Sequence, residues 1–343
     1  MKNLKQIIFL VLLVTGSLGF SATLPTTITV GGSDFLEIDD ITNPSTVTVK
    51  EGTTDKYAGI TGGTITYNYS SATREDKIAF IITEDFTVNS KIVATFDNPA
   101  SYNERNSLTF NVANGKTLTL NDFEVNFPNN NSGNYIVFSK GTTILNTLGR
   151  TYTSLFQISY GTFENRGDFM PAYIKLTNGV LNLGGNFNVR SNAYMGKDGL
   201  NSSINLNGYD FNVNSVMYFE DNNQVLNVTF GNDANADGIV VFALNSMQQN
   251  FESSTTIFKD FDPSKHLVLL KEPFAEDLSL FVFEGYEGQE IMTKVLTAED
   301  TIDLQIDSSY AGYTSYYVIP EPSIFAAFFG IAALALVVLK RRK

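Results

Sequence analysis

The 343-residue chain carries 23 Lys and Arg against 36 Asp and Glu, a formal net charge of −13, and it contains no Cys. The acidic balance argues against nucleic acid and anionic membrane surfaces as partners, because like charges repel. The lack of Cys excludes disulfides, thiolate metal sites and Cys nucleophiles, so the fold must be stabilised by packing and hydrogen bonding.

The first 22 residues have the composition of a secretory signal peptide. Lys2 and Lys5 supply a positive end, Ile7–Val14 forms an apolar core, and small residues follow it. We therefore expect residues 1–22 to engage the secretion machinery and to be removed, so that the rest of the chain is exported.

Alternating apolar and polar residues dominate the chain from residue 23 to residue 250. Examples are Thr64–Tyr69, Ile78–Ile82 and Leu108–Val112, and the runs are separated by Gly, Asn, Asp, Ser and Pro. This alternation is typical of short strands joined by turns, whereas no amphipathic helix of useful length is present. The sequence predicts an all-β body.

A short segment of the body repeats. The stretch GTFENRGDF at 161–169 matches GVLNLGGNF at 179–187 without gaps, and looser copies begin at Gly115, Gly141 and Ser202. Unequal repeats of this length are typical of a parallel β-helix, in which inward apolar side chains of successive coils stack on one another. We predict such a β-solenoid for residues 23–250; an antiparallel β-sandwich is the alternative.

Two further features accompany the repeat. Residues 118–127 share a pattern of apolar positions with residues 204–213, which suggests equivalent places in two coils. Asn is also frequent from Asn103 to Asn250, which suits left-handed turns and stacked side-chain amides. After residue 250 the repeat fades although strand-like runs continue, and residues 251–318 are predicted to form a C-terminal β module that caps the last coil.

One segment resembles the start of a calcium-binding loop. Asp233, Asn235 and Asp237 provide oxygen ligands at alternate positions, and Gly238 follows them. The acid expected at the end of such a loop is replaced by Leu244, and the intervening residues read as a strand. We therefore interpret the segment as a polar turn, with weak Ca²⁺ binding as the alternative.

Candidate catalytic groups are sparse. His266 is the only histidine, which excludes a two-His metal site, and its place beside an apolar run indicates a structural role. Lys175, Arg190 and Lys197 lie in the repeat region without a diagnostic spacing. The sequence predicts a protein without catalysis or cofactor; the alternatives are a polysaccharide-degrading enzyme, with clustered charges in a groove, and a glycan-binding module with a strip of exposed Tyr.

The last segment, 319–343, has three parts in a fixed order. Pro320, Glu321 and Pro322 precede the apolar run Ser323–Leu339, which as a helix nearly matches the thickness of a bilayer core. The basic tail that ends the chain consists of Lys340, Arg341, Arg342 and Lys343. Cations remain on the cytoplasmic side, so the body is predicted to lie on the opposite side of the membrane.

This arrangement resembles the PEP-CTERM sorting signal of Gram-negative-type bacteria, with a plain membrane anchor as the alternative. The resemblance implies recognition by an exosortase, processing near Pro320–Pro322, and release or attachment at the cell surface. It also implies association with exopolysaccharide or biofilm. Taken together, the sequence predicts an exported cell-surface or extracellular-matrix protein with a structural or adhesive role.

Overall fold

The computed structural model is mostly β-structure and contains large parallel sheets. It describes residues 27–31, 36–43, 46–51, 55–58, 63–68, 77–82, 85–88, 91–96, 106–126, 134–151, 155–197, 200–231, 238–248, 253–272 and 281–318. The predicted signal peptide at 1–22 and the predicted sorting signal at 319–343 lie outside these residues. Within the described ranges, no helix is long and apolar enough to cross a membrane.

Most strands belong to three sheets, in which each strand is hydrogen-bonded to the next one named. The five-stranded sheet contains β1 (Thr27–Gly31), β5 (Gly63–Asn68), β8 (Ile92–Phe96), β11 (Phe123–Asn126) and β14 (Leu148–Thr151). The nine-stranded sheet contains β7 (Phe86–Val88), β10 (Thr117–Leu120), β13 (Thr142–Leu145), β16 (Thr162–Asn165), β18 (Val180–Leu183), β21 (Ser202–Asn205), β23 (Val225–Thr229), β25 (Thr255–Lys259) and β27 (Phe281–Phe283).

The twelve-stranded sheet is the longest. It contains β6 (Lys77–Ile82), β9 (Asn106–Val112), β12 (Asn134–Ser139), β15 (Leu155–Ser159), β17 (Tyr173–Thr177), β20 (Ala193–Met195), β22 (Phe211–Phe219), β24 (Val240–Gln248), β26 (His266–Leu270), β29 (Thr314–Val318) and β28 (Ile291–Val295), with β19 (Phe187–Val189) beside β22. A separate antiparallel sheet is formed by β2 (Leu36–Asn43), β3 (Thr46–Glu51) and β4 (Asp55–Ala58).

From β6 to β14 the chain visits the three sheets in turn, and from β15 to β27 it runs mainly between the twelve- and nine-stranded sheets, so that each circuit adds one strand to each sheet that it visits. For example, β9, β10 and β11 are followed by β12, β13 and β14, and each new strand pairs in parallel with its counterpart one circuit earlier. All pairs from β6 to β27 are parallel. This pairing is consistent with a β-solenoid and differs from that of an antiparallel sandwich.

The strand register confirms most of the predicted repeat. Thr162 pairs with Val180, an offset equal to that between the two gapless copies. The copies that begin at Gly141 and Ser202 are also in register with their neighbours. The predicted start at Gly115 is wrong by one residue, because Thr117 pairs with Thr142 while Gly115 lies in a turn with φ +75°.

The interior of the coils is a continuous apolar core. One column of stacked side chains on the nine-stranded sheet consists of Leu118, Thr143, Phe163, Leu181, Ile204, Val228, Phe258 and Phe283. On the twelve-stranded sheet, the rings of Phe80, Phe110 and Phe138 stack at centroid distances of 5.2 and 5.6 Å. Like residues stack because parallel pairing in register places the same position of each coil one above the other.

The predicted equivalence of 118–127 and 204–213 is correct only in its first half. Leu118 and Ile204 share the interior column described above. Phe123 is fully buried, whereas its predicted counterpart Tyr209 is 39% exposed in a turn beside Gly208. The corner after Leu206 is longer, and the pattern loses register there.

The glycines that open the two gapless copies, Gly161 and Gly179, are explained by the corner between the twelve- and nine-stranded sheets. The residue before each glycine is left-handed, with φ of 57° at Tyr160 and 49° at Asn178. A Cβ atom at Gly179 would lie 2.7 Å from the carbonyl oxygen of Ile158 in the preceding coil, and one at Gly161 would lie even closer to that of Lys140. At Gly161 and Gly179, successive coils therefore approach too closely for a side chain.

The parallel pairing runs past residue 250 and then reverses. Strand β29 pairs antiparallel with β26, and β28 pairs antiparallel with β29. Between these strands lie helix α1 (Ala298–Asp303) and a 3-10 turn (Ser308–Tyr310). A second, small apolar cluster forms here from Val241, Ala243, Leu269, Leu296 and Tyr310.

Candidate functional site

The structure describes only some of the residues singled out by the sequence. The possible calcium ligands Asp233, Asn235 and Asp237 lie outside the described residues. So do the sorting motif Pro320–Pro322 and the basic tail, 340–343. Within the described ranges, no group of three or more His, Asp and Glu side chains is placed to hold a metal ion.

His266 lies in the core at the start of β26, only 3% exposed. Its Nδ1 accepts a hydrogen bond from the backbone N–H of Asp262 at 2.9 Å. Its ring stacks on Phe230 with a centroid distance of 4.3 Å and an interplanar angle of 15°. These contacts give the imidazole a structural place in the turn before β26.

The cations Lys175, Arg190 and Lys197 have different surroundings. Lys175 lies on β17 and is largely covered, whereas Arg190 and Lys197 are exposed in the turns after β19 and β20. Lys175 contacts Glu220. This pair lies beside a group of aromatic side chains on the outer face of the twelve-stranded sheet. This face is the candidate site.

The register brings four tyrosines together on that face. Tyr194 pairs with Lys175 on one side and with Tyr218 on the other. Tyr135 and Tyr173 lie in the adjacent outward column, separated by one coil. We call this group the tyrosine strip; it consists of Tyr135, Tyr173, Lys175, Tyr194, Tyr218 and Glu220. All four tyrosines are partly exposed, because outward positions alternate with the buried positions of the core.

Two of the four rings of the strip stack on each other. Tyr194 and Tyr218 stack with a centroid distance of 5.3 Å and an interplanar angle of 12°. This distance follows from the roughly 4.8 Å spacing of neighbouring strands. Two rings stacked in this way share part of their faces.

The Tyr194 hydroxyl keeps its proton and can donate a hydrogen bond at physiological pH. Partial burial raises the pKa of Tyr194, and the nearby phenols of Tyr218, Tyr173 and Tyr135 raise it further. The Nδ2 amide of Asn192, 3.4 Å from the hydroxyl oxygen, opposes this shift in the pKa. At this position the strip therefore presents a neutral phenol.

In the ion pair of the strip, the positive charge of Lys175 and the negative charge of Glu220 compensate each other. The Nζ of Lys175 lies 2.7 Å from both carboxylate oxygens of Glu220. Side-chain exposure is 15% for Lys175 and 26% for Glu220, so both charges are shielded from bulk water. The pair joins β17 to the end of β22, with β20 between them, and it fixes the long Lys side chain across the strip.

Asparagine pairs connect neighbouring coils elsewhere on the outer faces. The Nδ2 amide of Asn205 donates to Oδ1 of Asn182 at 2.6 Å, and that of Asn212 donates to Asn188 at 2.7 Å. Stacked Asn amides are thus present, but these pairs lie partly buried on the outer faces and do not form the internal ladders that the sequence suggested. Asn165 is fully buried, and its amide donates to the carbonyl oxygens of two corner glycines.

The comparisons with known proteins add no relative. No family model matches the chain, and no match was found among the curated proteins or the solved structures. The function is therefore inferred from the sequence and the geometry alone.

The sequence suggests a strip of exposed Tyr only as an alternative and identifies none of its residues, because one sequence does not show which side chains are exposed. The signal that was present is positional: Tyr194 lies one residue after Ala193, and Tyr218 one residue after Met217, and both neighbours are core residues. Once the register of β17, β20 and β22 is known, the parity of each position assigns these rings to the outer face.

Proposed function

We propose that this chain is an exported cell-surface or extracellular-matrix protein whose body is a rigid β-helix that displays binding surfaces along its length. The observation that carries the proposal is the parallel pairing of every strand from β6 to β27. It builds a long scaffold around one core. Such a stack gains stability from neighbouring coils and places outward side chains in a repeating lattice.

The finer architecture belongs to the same proposal. From β6 to β14 the three sheets are visited in a constant order, after which only the nine- and twelve-stranded sheets continue. Inward residues of these two sheets contribute to one cluster. A closed parallel β-helix accounts for this pattern. In it, the antiparallel strands β29 and β28 act as the C-terminal cap, because they reverse the direction of the sheet at its last coil.

Delivery to the surface is proposed from the sequence. The signal peptide at 1–22 directs export, and the PEP-CTERM-like segment 319–343 first inserts its apolar helix in the membrane. An exosortase then processes the chain near Pro320–Pro322. The mature body is released or attached at the cell surface, in association with exopolysaccharide.

Mass spectrometry of the protein from its native host tests this route. The expected C-terminus lies at or near Pro320–Pro322, and deletion of the exosortase is expected to leave the longer, membrane-held form. Mature protein that still ends at Lys343 in the presence of the exosortase would leave only a membrane anchor and contradict the sorting proposal.

The structural role is tested separately from the route. We expect no fragment to be released when the purified protein is incubated with acidic and neutral polysaccharides. Release of oligosaccharides that depends on the protein would instead establish the alternative, a polysaccharide-degrading enzyme, and would overturn the proposed role of the body.

A further inference from the structure

We propose that the tyrosine strip binds an uncharged polysaccharide chain. The inference rests on the proposed extracellular location for its choice of ligand. It goes beyond that proposal by assigning a surface and a ligand charge. The strip lies on the outer face of the twelve-stranded sheet, between β12 and β22, and is formed by residues of several successive coils.

The chemistry of the strip fits a sugar. A pyranose unit has an apolar C–H face and a rim of hydroxyl groups, so its partner must offer both apolar area and hydrogen-bonding groups. Tyr135, Tyr173, Tyr194 and Tyr218 each offer a ring with a hydroxyl at its tip. The amides of Gln157 on β15 and of Asn192 just before β20, on either side of β17, add donors and acceptors.

The strip is also ordered before a ligand binds. The Tyr194 ring is stacked on Tyr218, and its hydroxyl is in contact with Asn192. The Lys175 side chain is held by two contacts to Glu220. Because these side chains are already restricted, binding costs less conformational entropy than it would on a mobile surface.

Charge selects the kind of polysaccharide. Lys175 is compensated by Glu220, so neither an anionic nor a cationic sugar finds an unpaired countercharge in this pair. The chain as a whole carries a net charge of −13, which repels acidic polymers. The surface therefore favours a neutral chain over an acidic one, and a cationic chain gains only the diffuse attraction of the whole protein.

Affinity electrophoresis of the full-length chain tests the proposal. The gels contain hydroxyethyl cellulose, dextran or galactomannan as neutral probes and alginate as the acidic probe. We expect retardation by at least one neutral probe and not by alginate. The double substitution Tyr194→Ala and Tyr218→Ala is expected to weaken that retardation about tenfold or more, since aromatic anchors dominate such surfaces.

A matched substitution controls for loss of an exposed tyrosine. Tyr209 is also exposed but lies in the turn before β22, outside the strip, and Tyr209→Ala is expected to retain full binding. Circular dichroism reports whether each variant is folded. If the double alanine variant does not fold, Lys175→Glu, which places like charges side by side in the strip, takes its place and is expected to weaken neutral binding.

A third variant tests the role of the ion pair. Glu220→Gln leaves the Lys175 charge uncompensated, and we expect retardation by alginate to appear.

The proposal is overturned if no neutral probe retards the protein, if alginate retards the unmodified chain equally, or if the strip variants bind as well as Tyr209→Ala. Loss of binding with normal exosortase processing would reject the strip alone, and normal binding without processing would reject the sorting route alone.

Discussion

The coil stack and the C-terminal segment pair their strands in opposite directions, although both consist of strands in which apolar and polar residues alternate. In the stack, from β6 to β27, every pair is parallel and similar residues lie above one another. In the segment from Gly285 to Val318, the strands pair antiparallel and a helix and a 3-10 turn join them. The stack adds parallel strands, whereas the segment adds antiparallel ones.

The difference lies in what each region uses for stability. Coils share a core of stacked Phe, Leu and Val and need glycine where they touch at a corner. The C-terminal segment contributes Tyr316 and Val318 to this core and otherwise adds a small cluster around Leu296 and Tyr310, together with local caps and surface hydrogen bonds. We therefore expect substitutions in the stack to cost much more stability than comparable substitutions in the segment.

The largest effect is expected from Phe163→Ala. Phe163 is 1% exposed, and its ring lies 4.7 Å from that of Phe138 in the preceding coil. Removal of a buried ring leaves a cavity and lowers the free energy of unfolding by about 3–5 kcal/mol. The value is measured by urea denaturation.

The matched control for this prediction lies in the C-terminal segment. Ile302 is 74% exposed on α1, so Ile302→Ala should change the free energy of unfolding by less than about 0.5 kcal/mol. Similar losses for the two variants would show that the stack is not the source of stability.

A smaller but still large loss is expected from Gly161→Ala. The added methyl would overlap the carbonyl group of Lys140, which belongs to the backbone and cannot turn aside. Forced separation of two coils costs about 1–3 kcal/mol. Gly238→Ala is the control, because nothing lies within 4 Å of a Cβ atom at that position. Equal thermal midpoints for the two variants would contradict the close contact at the corner.

The coil stack could be predicted from the sequence for a physical reason. Parallel pairing in register gives each position of a coil the same neighbours as in the next coil, so equal demands select similar residues. The corner contact selects glycine at Gly161 and Gly179, and the core selects Phe163 and Leu181 between the same flanking positions. The repeat in the sequence results from these shared contacts.

The end of the stack and the site could not be predicted in the same way. Alternation of apolar and polar residues is the same in parallel and antiparallel strands, so nothing in Thr314–Val318 announces the reversal of direction. The tyrosine strip depends on the register of coils with unequal lengths. Tyr173 and Tyr194 lie on the neighbouring strands β17 and β20 because the chain between them makes one short circuit. The two gapless copies of the repeat, 161–169 and 179–187, contain neither residue.

Tyr310→Phe should loosen the C-terminal segment while leaving the stack intact. The Tyr310 hydroxyl donates to Oδ1 of Asn212 at 2.8 Å, and the Asn212 amide in turn donates to Asn188. Loss of one such hydrogen bond costs about 1 kcal/mol. Hydrogen exchange is expected to accelerate in residues 296–313 and to stay unchanged in β16 and β18.

Tyr209→Phe is the comparison for this prediction, because Tyr209 is exposed in a turn. It should leave exchange at residues 296–313 at its original rate. Faster exchange throughout β16 and β18 in Tyr310→Phe would mean that the segment and the stack unfold together, and the contrast between them would fail.

The smallest effect is expected at the start of α1 and depends on pH. Asp300 accepts hydrogen bonds from the backbone N–H and the hydroxyl of Thr297, both at 2.9 Å, and from Lys294 at 2.6 Å. The Lys294 contact is the main cause that lowers the pKa of Asp300 from 3.8 to about 2, followed by the contacts to Thr297. A carboxyl group with a lowered pKa stabilises the fold above its unfolded pKa, and this contribution is lost as pH falls from about 4 to about 2.

Asp300→Asn should therefore remove the acid sensitivity of the helix start. In the unmodified protein, the amide resonance of Thr297 is expected to shift with a midpoint near pH 2, whereas in the variant it should not titrate there. Asp303→Asn, in the same helix, is the control that keeps the capping contacts. A Thr297 midpoint near 4 in the unmodified protein would show that the carboxylate is not held by Lys294.

Because this cap lies at the protein surface, salt should raise the midpoint toward the ordinary value and leave the buried stack unaffected. The salt dependence of this titration thus distinguishes the helix cap, whose charges are screened by ions at the surface, from the buried apolar core, which ions do not reach.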